Sequence, residues 1–97
     1  PDDALPMQVE NLVTELIDRS RGLTSTERII LRYYAEGYGI KDIPDLLFIS
    51  AATVKGHNSH IYRKLGVDSY DALKAYLDIL KRCGRLENML QGIKYTC

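Results

Sequence analysis

The residues best suited to binding chemistry in this 97-residue chain lie between Thr53 and Lys64. Val54, Ile61 and Leu65 recur at helical spacing and define one inward stripe, so Lys55, Gly56, His57, Ser59 and Arg63 fall on the other sides of the same helix. That surface holds hydrogen-bond donors and small residues and no acidic side chain. A helix of this kind can approach phosphates and the edges of bases in a major groove. Other chemistries find less support. His57 and His60 are three apart and can share a helix face, but with Cys83 elsewhere no third or fourth ligand is placed, so neither a metal nor any other cofactor is expected. There is no Gly-rich phosphate loop, no nucleophile beside a base and no acidic pair in a pocket context, and the chain does not read as an enzyme.

The elements around this helix must hold it in place. Ile40 to Leu65, IKDIPDLLFISAATVKGHNSHIYRKL, reads as a short helix, a tight turn at Phe48-Ile49-Ser50 and a longer helix over 50–65. Ser50 is its N-cap, because the side-chain oxygen can accept from an otherwise unpaired N–H of the first turn.

Six fragments occur in order: Leu23-Thr24-Ser25-Thr26-Glu27, Ala35-Glu36-Gly37, Ile43, Leu47-Phe48-Ile49-Ser50, Thr53-Val54-Lys55-Gly56-His57 and Lys64-Leu65-Gly66-Val67. Together they resemble the LuxR-type (GerE-type) helix-turn-helix domain of bacterial transcription regulators, over about two-thirds of the chain. The resemblance implies an all-α fold that binds double-stranded DNA, with 50–65 as recognition helix in the major groove, and a homodimer on a two-half-site operator. Lys55 matches the Lys that reaches bases and backbone, Thr53 and His57 match positions that often hold phosphates, and Lys64 matches the basic residue of a Lys-Leu pair. The DNA-binding set is therefore Thr53, Lys55, Gly56, His57, Ser59, Arg63 and Lys64. RNA polymerase is a further partner that such a regulator admits.

Several positions depart from the family. Gly56 and Ser59 stand where larger or basic side chains commonly contact bases, which makes direct reading sparse. Gly56 also lowers helix stability by about 1 kcal/mol relative to Ala. Either close backbone approach to DNA or simple tolerance accounts for it. Asn58 replaces an inward apolar residue, so its amide needs a partner if buried. Pro44 follows Ile43 and biases it away from the helical region, which predicts a late or distorted start to the first helix of the motif, regular only over 44–48.

Two further helices precede the motif. Val9, Leu12, Val13, Leu16 and Ile17 mark an amphipathic helix over 6–20 that Gly22 ends. It packs either on the domain's own core or on an upstream domain or second subunit. Thr24 and Glu27 open the next helix as a capping box, with Ile30, Leu31 and Tyr34 inward. Arg28 and Arg32 are expected outside, as solvated charges or as contacts to the DNA backbone.

After the motif, Asp68-Ser69 caps a helix over 70–82 in which Leu73, Tyr76, Leu77 and Leu80 form one apolar stripe. A second stripe holds Ala72, Ala75, Ile79 and Cys83. The resemblance implies dimerisation through this helix, by Ala72, Ala75, Tyr76, Ile79 and Cys83. A broader contact with the helix over 6–20 is the plainer alternative. Gly84 ends the helix, and Arg85 to Gln91 adds a short turn before Gly92 and a tail, Ile93 to Cys97.

Composition bounds the rest. The length suits one domain, divided here into an N-terminal helix and linker (1–22), the helix-turn-helix domain (23–82) and a C-terminal extension (83–97). No apolar run approaches a membrane span, and Cys83 and Cys97 form neither a disulfide framework nor a zinc set, so a cytoplasmic protein with reduced thiols is expected. The chain begins at Pro1 and shows no secretory pattern, so an upstream sensory or receiver domain is expected in the full-length protein. Thirteen basic residues balance thirteen acidic ones, unlike many DNA-binding domains. Their distribution is uneven: 1–20 carries Asp2, Asp3, Glu10, Glu15 and Asp18 against Arg19, whereas 46–67 carries Lys55, Arg63 and Lys64 with no acid. Two rival readings follow. One is a protein-interaction module on this scaffold without DNA binding, which the neutral charge, Gly56, Ser59 and Pro44 favour. The other is a domain like region four of a sigma factor, which the Thr-Val-Lys-x-His block argues against.

Overall fold

Thr24, Ser50 and Ser69 cap the starts of three helices in this chain. The computed structural model describes residues 7–90, and within them runs α1 (Met7–Arg19), α2 (Ser25–Ala35), α3 (Ile43–Leu47), α4 (Ala51–Leu65), α5 (Tyr70–Arg82) and α6 (Leu86–Leu90). Single 3₁₀ turns at Ser20–Gly22 and Ile40–Asp42 lead out of α1 and into α3. There is no strand among the described residues, and the fold is all-α as expected. At the start of α2, Glu27 N–H donates to Thr24 Oγ1 at 3.1 Å while Thr24 N–H donates to Glu27 Oε1 at 2.8 Å, the reciprocal box that the sequence announces. Ser50 Oγ accepts from Thr53 N–H at 3.1 Å, and Ser69 Oγ accepts from Ala72 N–H at 3.1 Å.

The helix expected over 6–20 is α-helical over Met7–Arg19 and tightens to 3₁₀ at Ser20; Pro6 lies outside the described residues. Val13 and Leu16 are fully buried, with Val9, Leu12 and Ile17 at the edge of the core. The stripe is thus covered by the chain's own core, where α1 meets α4 and α6. At the other end α6 folds back, and Met89 and Leu90 complete the same core. It realises the short turn expected after Arg85, while Gln91, Gly92 and Ile93 to Cys97 lie outside the described residues.

Two expectations need correction. Ile43 is not displaced from the helical region: its backbone is right-handed helical at φ −63°, ψ −39°, and its side chain is wholly buried. Pro44 occupies the first turn of α3, where an N–H has no partner within the helix, so little is lost, and burial of Ile43 outweighs the local steric bias. The helix is nonetheless short, as expected, at five residues. Arg28 is not on the outside. It is 6% exposed, donating through Nη1 to Met89 O and through Nη2 to Ser20 O, both at 2.6 Å. Folding α6 over α2 encloses this guanidinium between two carbonyls at element ends, whereas Arg32 stays outside and pairs with Glu87 at 3.2 Å.

The motif itself turns on Phe48, whose backbone is left-handed at φ 58°, ψ 47°. For a bulky L-residue this costs roughly 1–2 kcal/mol, set against the packing of Leu46, Leu47 and Ile49 on the core. Asn58 of α4 has the partner that burial demands: its Oδ1 accepts from the Tyr34 hydroxyl at 2.9 Å, and both residues are buried. Burial pushes that hydroxyl up to about 12, outweighing the opposing hydrogen bond to Asn58, with Tyr62 and Tyr70 adding to the rise.

Tyr34→Phe leaves the Asn58 oxygen buried without a donor and is expected to lower the unfolding free energy by about 1–3 kcal/mol in urea melts. Adding Asn58→Leu to that variant is expected to recover much of the loss, because both polar partners are then gone.

Candidate nucleic-acid interface

The faces of α4 follow from its helical period and from what each side meets. Val54, Asn58, Ile61 and Leu65 point into the core. Thr53, Lys55, Gly56, Ser59, His60 and Arg63 are exposed, and His57 and Lys64 are half-buried. Ala52, Gly56, Ser59 and Arg63 succeed one another at spacings of four, three and four, so they share the stripe that faces away from the core. Lys55 and Lys64 are nine residues apart, about two and a half turns at 3.6 residues per turn, which puts them on opposite flanks of that stripe. Thr53, His57 and His60 lie on the flank of Lys64. The outward surface is therefore a shallow central strip of small side chains ending at Arg63, with donors along both sides.

Within this set the structure separates the residues. On the Lys64 flank, Nζ donates to Glu27 Oε1 at 2.9 Å, and His60 Nδ1 lies 4.0 Å from Glu27 Oε2. The Glu27 side chain is 3% exposed, so the ammonium of Lys64 is the counter-charge of a buried carboxylate. Burial by itself pushes the Glu27 carboxyl up; the hydrogen bonds from Lys64 and Thr24, with the charges of Lys64 and His60, more than reverse this and hold it below the ordinary carboxylate range. Glu27 reads from sequence only as a cap. Its partner is 37 residues away, and no local spacing announces the pair.

At the N-terminal end, Thr53 Oγ1 lies 2.9 Å from Ser50 Oγ, so its hydroxyl joins the cap. Gly56 has a different environment: a Cβ added there meets nothing within 4 Å. Internal packing does not account for a glycine at this position. At the C-terminal end Gly66 takes φ 77° and its N–H donates to Tyr62 O at 2.8 Å, a left-handed stop for the helix.

The residues expected to join two copies lie on α5, whose main neighbours are α2 and α6. Leu73, Leu77 and Leu80 are buried; Ala72, Tyr76, Ile79 and Cys83 are half-buried at the rim, and Ala75 is exposed. Among the described residues no helix is long and apolar enough to cross a membrane.

Comparison with known proteins places the matched region on these elements. The family described as GerE, bacterial regulatory proteins, luxR family, matches residues 21–76. The chain is 49% identical over 47 residues to a putative HTH-type transcriptional regulator of Mycobacterium tuberculosis, a stretch that is 48% of this chain and 5% of that protein. It is 44% identical over 54 residues to the oxygen regulatory protein NreC of Staphylococcus aureus, covering 56% of this chain and 25% of that protein. The chain thus spans a minor part of either relative. No solved structure matches it.

Because the Glu27 carboxyl titrates lower when folded than when unfolded, its contribution to stability is complete above about pH 4.3, the unfolded value, and is lost as pH falls through the folded value. Urea melts between neutral and acid pH are expected to show this loss, and Glu27→Gln to be less stable at neutral pH with a flatter acid limb. Gly56→Ala, with open space for the methyl group, is expected to raise stability by about 0.5–1 kcal/mol in the same assay.

Proposed function

Because the chain belongs to the luxR family of bacterial regulatory proteins, we propose that it binds double-stranded DNA sequence-specifically, as the effector domain of a transcription regulator. The observation that carries this reading is the outward surface of α4: a helix anchored along its inner side, with donors on both flanks and no acidic residue anywhere in 46–67. In this reading the strip of Gly56, Ser59 and Arg63 enters the major groove. Lys55 reaches base edges and backbone from one flank, and Thr53 and His57 meet phosphates from the other. Lys64 adds positive charge on that second flank while bonded to Glu27. Short side chains at the centre let the backbone come close, and most of the affinity then comes from phosphate contacts.

The names of the two relatives, a transcriptional regulator and a regulatory protein, support a role in control of transcription. Their greater length supports a domain that works within a larger regulator, joined to a sensory or receiver domain. Two copies on a two-half-site operator would meet through Ala72, Ala75, Tyr76, Ile79 and Cys83 of α5, whose partly exposed apolar rim suits such a contact.

The test is retention of random duplex DNA by the purified chain at low and then moderate salt, with sequencing of what is retained. Enrichment of a two-fold symmetric site is the expected result. Salt-sensitive retention without enrichment would contradict sequence reading by α4, and no retention at either salt would favour a protein-interaction module. Lys55→Ala is expected to weaken binding across sequences and to reduce the slope of log affinity against log salt by about one.

A further inference from the structure

The C-terminal end of α4 is held by a residue of α1, an element that lies before the matched region at 21–76. Arg19 Nη1 donates to Leu65 O at 3.2 Å, and its Nη2 donates to Glu15 Oε2 at 2.6 Å, one turn back on α1. Leu65 O is among the last carbonyls of a helix, which have no donor within it. The two N–H groups that follow, of Gly66 and Val67, both donate to Tyr62 O, at 2.8 and 2.9 Å, so the Leu65 carbonyl is met by Arg19. A cation at this end also opposes the partial negative charge of the helix C-terminus. The contact is close: at Gly66 a Cβ would run into Arg19 Nη1.

From this geometry we propose that Arg19 is a positioning residue for DNA recognition, setting the tilt of α4 from its C-terminal end without touching DNA itself. The proposal rests on the reading that α4 faces DNA. The neighbouring Ser20 carbonyl is gripped by the buried Arg28 of α2 at 2.6 Å, so the end of α1 is a fixed point of the core, and Arg19 joins α4 to it. The middle of α4 is tied separately by Asn58 to Tyr34. Without Arg19 the C-terminal end keeps only the Lys64–Glu27 bond on one flank and the buried Leu65 side chain, and a small tilt about these ties displaces Arg63 and Ser59 relative to a bound groove. Hydrogen bonds to base edges tolerate a few tenths of an ångström, whereas charge attraction to phosphates falls off slowly. Recognition of a chosen sequence is therefore more sensitive to Arg19 than retention of DNA in general.

The experiment measures affinity of the 97-residue chain for the site selected above and for a scrambled duplex, at several salt concentrations and well below the melting temperature. Arg19→Met keeps the apolar stem and removes the guanidinium. It is expected to weaken binding to the selected site about tenfold, with scrambled-duplex affinity and salt slope unchanged and with faster amide exchange at Tyr62 to Val67. Arg19→Lys is expected to restore part of the loss. Should Arg19→Met not fold, Glu15→Gln, which removes the carboxylate that orients the guanidinium, is expected to shift the same ratio in the same direction by less. An unchanged ratio of selected to scrambled affinity overturns the proposal, and so does a salt slope reduced by about one, which would make Arg19 a phosphate ligand. Lys55→Ala and Arg63→Ala separate the two failures. If they weaken binding and Arg19→Met does not, only the positioning role falls; if none of the three changes binding, the DNA-facing reading of α4 falls with it.

Discussion

The buried Glu27 carboxylate accepts a hydrogen bond from Lys64 at 2.9 Å, and this pair fixes one flank of α4 against α2. The same carboxylate closes the cap of α2 and is 3% exposed, so desolvation alone would favour the neutral acid. The hydrogen bonds from Lys64 and Thr24, with the charges of Lys64 and His60, reverse that preference, and removing one partner of a buried pair is far costlier than replacing both. With Lys64 and His60 turned toward α2, the helical period leaves Gly56, Ser59 and Arg63 no direction but outward. The outward face of α4 is thus fixed in part from its flank, by a carboxylate that stays buried.

The rest of the structure extends the same logic of ties between distant carbonyls, carboxylates and cations. Asn58 and Tyr34 hold the centre of α4, and Arg19 meets its last carbonyl. Arg28 binds α6 and the turn after α1 to α2. Apolar burial drives the assembly, yet a stripe of Val54, Ile61 and Leu65 within the common core is tolerant of small rotations. Directional hydrogen bonds at buried sites are not, since an unmade one leaves a desolvated group without a partner. The proposed recognition surface, made largely of small side chains, would depend on that rigidity, since close approach tolerates little movement.

Much of this was legible in the sequence where the cause is local. Thr24, Ser50 and Ser69 mark helix starts because a cap needs only its own next three residues. Apolar spacing places the inward residues of α1, α2, α4 and α5, and an inward Asn58 requires a partner on general grounds, though not Tyr34 in particular. What was hidden was long-range. Arg28 reads as a surface charge until α6 returns from 61 residues away to cover it, and Lys64 reads as a free cation until Glu27 is seen 37 residues upstream. Ile43 shows the opposite case, a local bias from Pro44 overridden by complete burial of the side chain.

The most direct test of this account is to follow the backbone amides of the chain by NMR while a duplex bearing its selected site is added. The account predicts that the largest changes fall on Thr53, Lys55, Gly56, Ser59 and Arg63, with the amides of Ile30, Leu31 and Leu73 in the core nearly unmoved, as for a preformed helix entering a groove. Changes concentrated on the outer faces of α5 and α6, or spread through the core as the helices rearrange, would contradict it.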